Sequence, residues 1–316
     1  MHKRRRFEAK DQEIEIPGEE KISRTELLLS TLQLAVEKYP LFSDITSEDF
    51  PTLKSKYCPV SDRSPIFSID CEMCFTTADK LEVTRVSVVD ENCAVVFDTL
   101  VKPKNKITNY LTKYSGITKK LLDPIDVTLE DVHKELDRIL PEDAILCGQS
   151  LNCDLLALQL SHPYIIDTSV IYNTSGLRPV KPSLKFLSKK FLNLEIQNND
   201  SSVGHDSTED AVAAMKLVKL KLSMGLEFGD RVLSKVDYGN ENRNFLPINS
   251  YLERINTKLN VFYDYCDIES SDKSLVIYSS SNKSSHQLSE AINQCIHSDK
   301  QICILLNKSG KCFIKF

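Results

Sequence analysis

Two carboxylates interrupt an otherwise apolar stretch of the chain. The segment FSIDCEMCF, residues 67–75, has the composition of a core strand except for Asp70 and Glu72. Residues two apart in a strand point to the same face, so the two acids are expected to lie side by side. The segment contains no basic residue to pair with them, and burial of an unpaired charge is costly. The pair therefore indicates a bound cation or a shared proton.

Two further acids stand near predicted helix starts. Asp154, in GQSLNCDLLALQL, lies where a short apolar strand gives way to a helix, and ligands collect at the strand ends of α/β sheets. Asp210, in GHDSTEDAVAAMKLVKL, lies on a helix, with His205 just upstream. Each acid taken alone also fits a structural role, as a helix cap or as a charge at the positive end of a helix. Taken one at a time, these residues leave both interpretations open.

The composition predicts a globular protein. With 316 residues, 41% of them hydrophobic and 27% charged, the chain is long enough for one substantial core and a smaller module. No stretch approaches the roughly 20 apolar residues of a membrane span, and the charged N-terminus lacks the apolar run of a secretory signal. We therefore expect no membrane association.

The charged and sulfur-containing residues add two expectations. The formal net charge of −5 is unusual for a protein that binds nucleic acid, but basic residues cluster at Lys3–Arg6 and between Arg178 and Lys190, and local patches attract phosphates. The ten cysteines are interpreted as reduced thiols. Cys71 and Cys74 have the spacing of a redox or zinc half-site, but the chain has no second such pair, so we interpret both as core thiols.

The pattern of apolar residues divides the chain into three parts. Residues 1–60 form an N-terminal extension with one amphipathic helix in SRTELLLSTLQLAVEKY. Residues 61–228 begin with three closely spaced strands, which predict an antiparallel meander, and continue with alternating helices and strands. This order predicts an α/β domain with a mixed sheet flanked by helices. Residues 229–316 end in a β-α-β-β pattern, which predicts a small C-terminal α+β module.

The order of the acidic motifs resembles a known superfamily. A strand D-x-E, an Asp at a helix start and H-x-x-x-x-D opening a late helix are similar to the three motifs of the DEDDh (DnaQ-like) exonucleases, whose domain is ribonuclease-H-like. Six segments also resemble, in the same order, those of the eukaryotic Rex-type RNA exonucleases, above all the animal NEF-sp type: FSIDCEMCFT, NYLTKYSGIT, GQSLNCDLLAL, HPYIIDTSVIY, KPSLKFLSKKFLNLEIQ and GHDSTEDAVAAMKL. One departure is Gln149, where that family usually has His.

The resemblance implies a chemistry for the acids. It makes the protein a 3′→5′ exoribonuclease that releases nucleoside 5′-monophosphates with two divalent metal ions, Mg²⁺ or Mn²⁺. Carboxylates suit such ions because hard cations prefer oxygen ligands. The metal ligands implied in this sequence are Asp70, Glu72, Asp154 and Asp210. His205 is implied as the general base, since an unperturbed imidazole titrates near neutrality.

The resemblance also implies a substrate and a location. The ligand is the 3′ end of single-stranded RNA, and the protein acts in nuclear RNA 3′-end processing or turnover, in the nucleus and specifically the nucleolus. The residues implied to contact the terminal nucleotide are Met73, Tyr114, Ser115, Gly116 and Ile117. NEF-sp-type enzymes carry RNA-recognition modules behind the exonuclease domain. The predicted C-terminal module is therefore interpreted as a degenerate RNA-recognition fold, because it lacks their aromatic-rich motif.

Two other functions stay open. The first is a DNA exonuclease on the same fold, because metal ions contact only the phosphate and discrimination against DNA needs contacts to the 2′-hydroxyl. The second is an RNA-binding protein that has lost activity, although all five expected positions are filled. The basic helix between Lys181 and Lys190 either follows phosphates or is a solvated face. Sequence does not settle the oligomeric state.

Overall fold

The computed structural model describes residue 16 and residues 18–40, 50–177, 180–197, 204–231, 233–234, 258–262, 274–280, 303–307 and 312–315. The chain divides into two compact units. One comprises Met1–Leu29 and Phe50–Val236, and the other comprises Ser30–Asp49 and Asp237–Phe316. The acids singled out above all lie in the first unit. No helix within the described ranges is long and apolar enough to cross a membrane.

The first unit is built on a six-stranded mixed sheet. Its strands are β1 (Ile66–Thr76), β2 (Leu81–Val89), β3 (Val95–Leu100), β4 (Ile107–Asn109), β5 (Ile145–Gly148) and β6 (Ile165–Asp167). The strand order is β3-β2-β1-β5-β6, and β4 pairs with the far end of β1. β1, β2 and β3 pair antiparallel, whereas β5 and β6 run parallel to β1. This topology confirms the ribonuclease-H-like mixed α/β fold that the sequence predicts.

The helices follow the alternating pattern of the sequence. In chain order after a short α1 (Thr31–Val36) they are α2 (Thr112–Ser115), α3 (Lys119–Leu122), α4 (Leu129–Ile139), α5 (Asn152–Ala157), α6 (Thr168–Ile171), α7 (Leu184–Leu187) and α8 (Ser207–Met224). A π-helical turn, Ser188–Leu192, continues directly from α7. The basic helix predicted near Lys185 is therefore this composite of α7 and the π-helical turn.

Helix α8 is packed on two sides. Ala211, Met215, Val218 and Leu222 recur at helical spacing and pack against the sheet through Ile66 and its neighbours on the central strands. Ala213, Ala214, Leu217 and Leu220 pack into a second cluster with Tyr172, Leu184, Leu187, Leu192 and Ile196. Met224 is the one exposed residue in this fully described helix. Its N-terminal end, which carries Asp210, is therefore held rigidly over the sheet.

The predicted amphipathic helix near residue 30 is corrected by the structure. It forms two short helices, a 3₁₀ turn over Arg24–Leu27 and α1. Ser23 caps the first through a capping box, and Ser30 caps the second in the same way. Between them the chain is extended, and the Leu29 amide donates to the Ile165 carbonyl oxygen of β6 at 2.8 Å. Two capping serines and this bond to the sheet therefore divide the predicted helix.

The second unit contains α1 and a four-stranded sheet. Its strands are β7 (Lys258–Phe262), β8 (Ser274–Ser280), β9 (Cys303–Asn307) and β10 (Cys312–Lys315), in the order β10-β9-β8-β7. β8 and β9 are parallel, and β10 returns antiparallel to β9. These last three strands are those of the predicted β-α-β-β pattern. The predicted helix between β8 and β9 lies outside the described residues, and the RNA-recognition interpretation stays a prediction.

Gly148 provides a test of how closely β5 approaches β1. A Cβ atom at this position would lie 2.8 Å from the Ile69 carbonyl oxygen and 3.1 Å from Leu151 Cδ1. We expect Gly148→Ala to destabilise the protein by about 1–3 kcal/mol, because the backbone of β1 must shift to admit the methyl group. Gly18→Ala is the matched control, since nothing lies within 4 Å of its added Cβ. Equal urea midpoints for the two variants would contradict the close approach.

Candidate active site

Strand β1 presents the first two acids on one face. Its register with β2 is continuous over this region, with Asp70 opposite Ser87 and Glu72 opposite Arg85. Glu72 is buried and Asp70 is half-buried. Cys71 lies between them in the strand, and Cys71 and Cys74 are both buried, unoxidised thiols, as expected of core cysteines. The strand period therefore places the two carboxylates together.

Asp154 approaches β1 through a gap in the sheet. On one edge β1 pairs with β5 only at residues 66–68 and with β4 only at Phe75 and Thr76. In the stretch between, the Cys71 amide donates to Asp154 Oδ1 at 2.9 Å. The N-cap position of α5 is Leu151, so Asp154 does not cap its helix. Asp154 instead lies in the first turn of α5 and contacts the strand that carries the first two acids.

The entry to α5 is fixed by Asp167. Ser150 adopts a left-handed backbone with φ of +54°, and its amide donates to Asp167 Oδ1 at 2.9 Å. The same oxygen accepts the Ser169 amide at 2.8 Å and caps α6. The Gln149 side chain donates to the Pro182 carbonyl oxygen and accepts from the Thr168 hydroxyl. The residue that differs from the family's usual His therefore makes contacts within the fold.

Asp210 lies in the first turn of α8, where Asp206 is the N-cap residue. Asp210 Oδ2 accepts a hydrogen bond from Gln197 Nε2 at 2.7 Å. Asp210 Oδ1 is buried and has no hydrogen-bond partner. A buried carboxylate oxygen without a donor is costly and calls for an explanation.

Burial raises the pKa of all four acids, and repulsion from the other acids adds to this effect at Asp70 and Glu72. Burial, followed by the charges of Asp154 and Asp210, raises the pKa of Asp70 well above its usual range. Burial raises the pKa of Glu72 and of Asp154 to about 8, and burial raises that of Asp210 to about 7. Such shifts in a group of close carboxylates mean that the ionised forms need a compensating positive charge.

The structure adds a basic partner that the segment FSIDCEMCF lacks. Arg85 of β2 lies opposite Glu72, and its charge lowers the pKa of that carboxyl against the larger effect of burial. However, Arg85 Nε lies 2.8 Å from Asp98 Oδ1, and its Nη1 lies 3.1 Å from Asp206 Oδ1. Because Arg85 is engaged by these two carboxylates, one guanidinium does not neutralise the buried acids.

The donor set fits a hard divalent cation. All four acids offer carboxylate oxygens, which Mg²⁺ and Mn²⁺ prefer, and Asp210 Oδ1 is a buried oxygen in need of a partner. Within the described part of the chain, no three His, Cys, Asp or Glu side chains already converge as a metal-binding group. The four acids therefore have the right ligand chemistry for a divalent cation, but their oxygens do not form a closed ligand shell.

His205 is held against the loop predicted to cover the substrate. Its amide donates to the Tyr114 carbonyl oxygen at 2.5 Å, and its ring meets the Tyr114 ring edge-on, with centroids 6.5 Å apart. A Cβ on Gly204 would lie 2.1 Å from the Gly116 nitrogen, and φ at Gly204 is +67°. Only glycine permits this approach. The predicted catalytic histidine and the predicted substrate loop are thus packed together.

His205 also faces the acids. Its Nδ1 lies 4.0 Å from Asp210 Oδ2, and 39% of its side chain is exposed. Burial, helped by the charge of Lys185, lowers the pKa of His205 below its usual value. The imidazole is therefore neutral near pH 7 and able to accept a proton.

The other predicted substrate contacts differ in accessibility. Tyr114 is exposed, Met73 and Gly116 are half-buried, and Ser115 and Ile117 are buried. The Ser115 hydroxyl donates to the Tyr110 carbonyl oxygen at 2.9 Å, so this side chain shapes the loop. Contacts of these five residues with a nucleotide stay a prediction.

Sequence patterns missed two residues that bear on the site. Gln197 bonds Asp210, and Arg85 lies opposite Glu72. Neither has a local signal, because Gln197 stands in a connecting segment and Arg85 alternates normally along its strand. Lys185 of the basic helix is directed to this network, since its Nζ donates to the Gln197 carbonyl oxygen at 2.8 Å.

Part of the chain is similar to known exonucleases. Residues 67–218 match the family described as Exonuclease (RNase_T). Over 216 residues the chain is 44% identical to RNA exonuclease 5 of Bos taurus, covering 68% of this chain and 27% of that protein. It is 43% identical to RNA exonuclease 1 of Saccharomyces cerevisiae, also over 216 residues, covering 68% of this chain and 38% of that protein. The chain thus matches well under half the length of these relatives.

A solved structure resembles part of the chain. The Neurospora crassa Pan2 catalytic unit, which comprises a protease and a nuclease domain, is 25% identical, with a TM-score of 0.44. The match covers 60% of this chain and 32% of that chain.

The raised pKa values predict how stability depends on pH without metal. A carboxyl group whose pKa is higher in the folded than in the unfolded state stabilises the fold while protonated, and this contribution is lost as pH rises through the folded value. In EDTA, the melting temperature should therefore fall by roughly 5 °C or more between pH 5.5 and 8.5. Asp210→Asn should show a shallower fall, because it removes one of the mutually repelling carboxylates.

Circular dichroism melts of the wild type and two variants check this. Asp123→Asn is the control, since Asp123 is an exposed carboxylate paired with Lys119 at 2.6 Å and should keep the full pH slope. A wild-type melting temperature that rises over this range would show that the acids are not close enough to repel one another.

Proposed function

Because residues 67–218 form a domain of the exonuclease family, we propose that the protein is a 3′→5′ exoribonuclease that releases nucleoside 5′-monophosphates. The observation that carries this proposal is the grouping of Asp70, Glu72, Asp154 and Asp210 beside His205. The relatives quoted above are named RNA exonucleases, which supports RNA as the substrate.

The carboxylates have the role of holding cations. Enzymes of this family depend on divalent metal ions, and we assign two ions, Mg²⁺ or Mn²⁺, to Asp70, Glu72, Asp154 and Asp210. When bound, such ions neutralise the charge that makes a phosphodiester resist attack and lower the pKa of water. The buried acids supply the negative charge that retains them, and the Cys71 amide holds Asp154 towards β1.

His205 has the role of accepting a proton. Its imidazole is neutral near pH 7 because its pKa is lowered, and its Nδ1 is directed to Asp210. We assign proton uptake from the attacking water to Nε2, the other ring nitrogen. The resulting imidazolium is stabilised by the nearby Asp210 carboxylate, which offsets part of the cost of charging a half-buried ring.

The loop Tyr114–Ile117 has the role of receiving the strand terminus. It is fixed to the His205 segment through the close contact of Gly116 with Gly204, so a terminal nucleotide beneath it would lie beside the acids. A loop that encloses a strand terminus in this way would favour attack from a free 3′ end. Met73 follows the acids on β1 and supplies apolar surface for the terminal base.

The cellular role belongs to the same proposal. We place the protein in nuclear RNA 3′-end processing or turnover, with a nucleolar location, because its motifs resemble those of the Rex-type enzymes and because it has the basic run Lys3–Arg6. Imaging of the tagged protein checks this location.

Incubation with labelled nucleic acids tests the activity. With Mg²⁺, the protein should shorten 5′-labelled linear RNA stepwise from its 3′ end and should leave circular RNA intact. EDTA should abolish the reaction. Asp70→Asn should lose more than about 100-fold in rate, because even indirect supports of a metal site are worth 10–100-fold.

The outcomes separate the alternatives. Rapid cutting of circular RNA would exclude an exonuclease, and preference for a DNA strand of the same sequence would exclude RNA as the main substrate. RNA binding without any shortening would identify an inactive RNA-binding protein. Turnover of Asp70→Asn at the wild-type rate would exclude the metal assignment.

His205→Ala tests the proton acceptor. We expect turnover to fall on the order of 10²–10⁴-fold, because proton transfer from water is slowed while the carboxylates are unaffected. The acidic limb of the pH–rate profile, which reflects protonation of this imidazole, should also disappear. Metal-induced stabilisation and RNA affinity should be retained.

A second histidine provides the control. His133 lies on α4, with Nε2 2.7 Å from the Leu158 carbonyl oxygen, and His133→Ala should keep the turnover and the acidic limb of the wild type. Unchanged turnover in His205→Ala would remove His205 from the mechanism, and a lost melting response to Mn²⁺ would make it a structural support.

A further inference from the structure

Gln197 holds a candidate metal ligand through its side chain. Its Nε2 donates to Asp210 Oδ2 at 2.7 Å, in a half-buried setting. A hydrogen bond to a carboxylate in such a setting is stronger than one between neutral groups. The bond restricts rotation of the Asp210 carboxyl group.

The backbone of Gln197 is fixed as well. Its amide donates to Glu209 Oε2 at 3.0 Å, and its carbonyl oxygen accepts from Lys185 Nζ at 2.8 Å. Its φ is +52°, a left-handed backbone conformation that residues other than glycine seldom adopt. A strained residue persists only where its surroundings hold it, so these bonds fix where the amide group points.

The two oxygens of Asp210 are left in different states. Oδ2 is occupied by Gln197, whereas Oδ1 is buried without a hydrogen-bond partner. A hydrogen bond that takes one oxygen and fixes the plane of the carboxyl group directs the lone pairs of the other. An oxygen that is buried, fixed and without a donor is suited to a cation.

We propose that Gln197 is a positioning residue that orients Asp210 so that Oδ1 is kept for a divalent cation. This inference rests on the proposed function, because it names the support of one of the assigned ligands. Lys185 belongs to the same arrangement, since its bond to the Gln197 carbonyl oxygen links the basic helix to the acid.

A different explanation is that Gln197 serves only to form a turn. Asn193 distinguishes the positioning role from the turn-forming role, because it is also an amide residue with φ of +52° in the same connecting region. Asn193 is exposed, and its residue type and backbone match those of Gln197. If left-handed geometry were the whole role, glycine would replace either residue without loss.

The experiment compares Mn²⁺ binding by Gln197→Gly, Asn193→Gly and the wild type, with free Mn²⁺ followed by electron paramagnetic resonance. Glycine keeps the backbone amide and carbonyl bonds and removes only the bond to Asp210. We expect a 10–100-fold loss of Mn²⁺ affinity in Gln197→Gly and none in Asn193→Gly. The Mn²⁺-induced rise in melting temperature should shrink in parallel, and in EDTA the variant should melt lower than the wild type because Asp210 Oδ2 has lost its donor.

Turnover provides a second measurement, because a purely structural role of Gln197 would not make kcat depend on the Mn²⁺ concentration. In Gln197→Gly, saturating Mn²⁺ should restore kcat towards the wild-type value, with KM for RNA unchanged. If Gln197→Gly did not fold, Gln197→Asn decides, because Asn tolerates left-handed backbone but its amide is one methylene shorter. Unchanged Mn²⁺ affinity in the folded variant, or equal losses in the Asn193 control, would overturn the proposal.

Failure of this inference is distinguishable from failure of the proposed function. Mn²⁺ affinity is measured without RNA, and wild-type RNA shortening is measured separately. Metal binding that depends on Gln197 in a protein that leaves RNA intact would refute the proposed function alone. RNA shortening with unchanged Mn²⁺ affinity in Gln197→Gly would refute the inference alone.

Discussion

The cost of ionising carboxylates inside the fold is the constraint on which the rest of this site depends. Burial raises the pKa of all four acids, and the charges of Asp154 and Asp210 raise those of Asp70 and Glu72 further. Folding alone does not favour such a group, so the scaffold must hold it by other means. The means are the regular register of β1 with β2 from Ser68 to Glu72, the double packing of α8 and the amide bond from Cys71 to Asp154. Stability supplied by the core thus offsets strain at the site.

The parts of the site that are local in sequence could be predicted. Asp70 and Glu72 share a face because a strand has a period of two, and the helix starts near Asp154 and Asp210 follow from apolar patterning and cap residues. The mixed sheet follows from the order of strands and helices. The inferences about the individual acids use neighbours within about one helical turn, and the structure confirms the mixed sheet.

The parts of the site that depend on tertiary contacts could not be predicted from the sequence. Arg85 comes to lie opposite Glu72 only through strand pairing, and Gln197 reaches Asp210 only after the connecting segment has folded back. The division of the predicted helix near residue 30 was missed for a related reason. Its apolar pattern is helical, but Ser30 begins a new helix and Leu29 bonds to β6. An apolar pattern records which residues are buried but does not record what an individual backbone amide bonds to.

Helix α8 has a consequence for how this protein can diverge. An amphipathic helix ordinarily leaves one face open to substitution, whereas α8 contacts a core on each side and exposes only Met224. Its half-buried residues Thr208, Val212, Lys216 and Lys219 recur at helical spacing. Natural variation should therefore be concentrated on this narrow stripe and be sparse on the rest of the helix. Changes of specificity would then have to arise outside the helix, at positions that, unlike Gln197, do not hold Asp210.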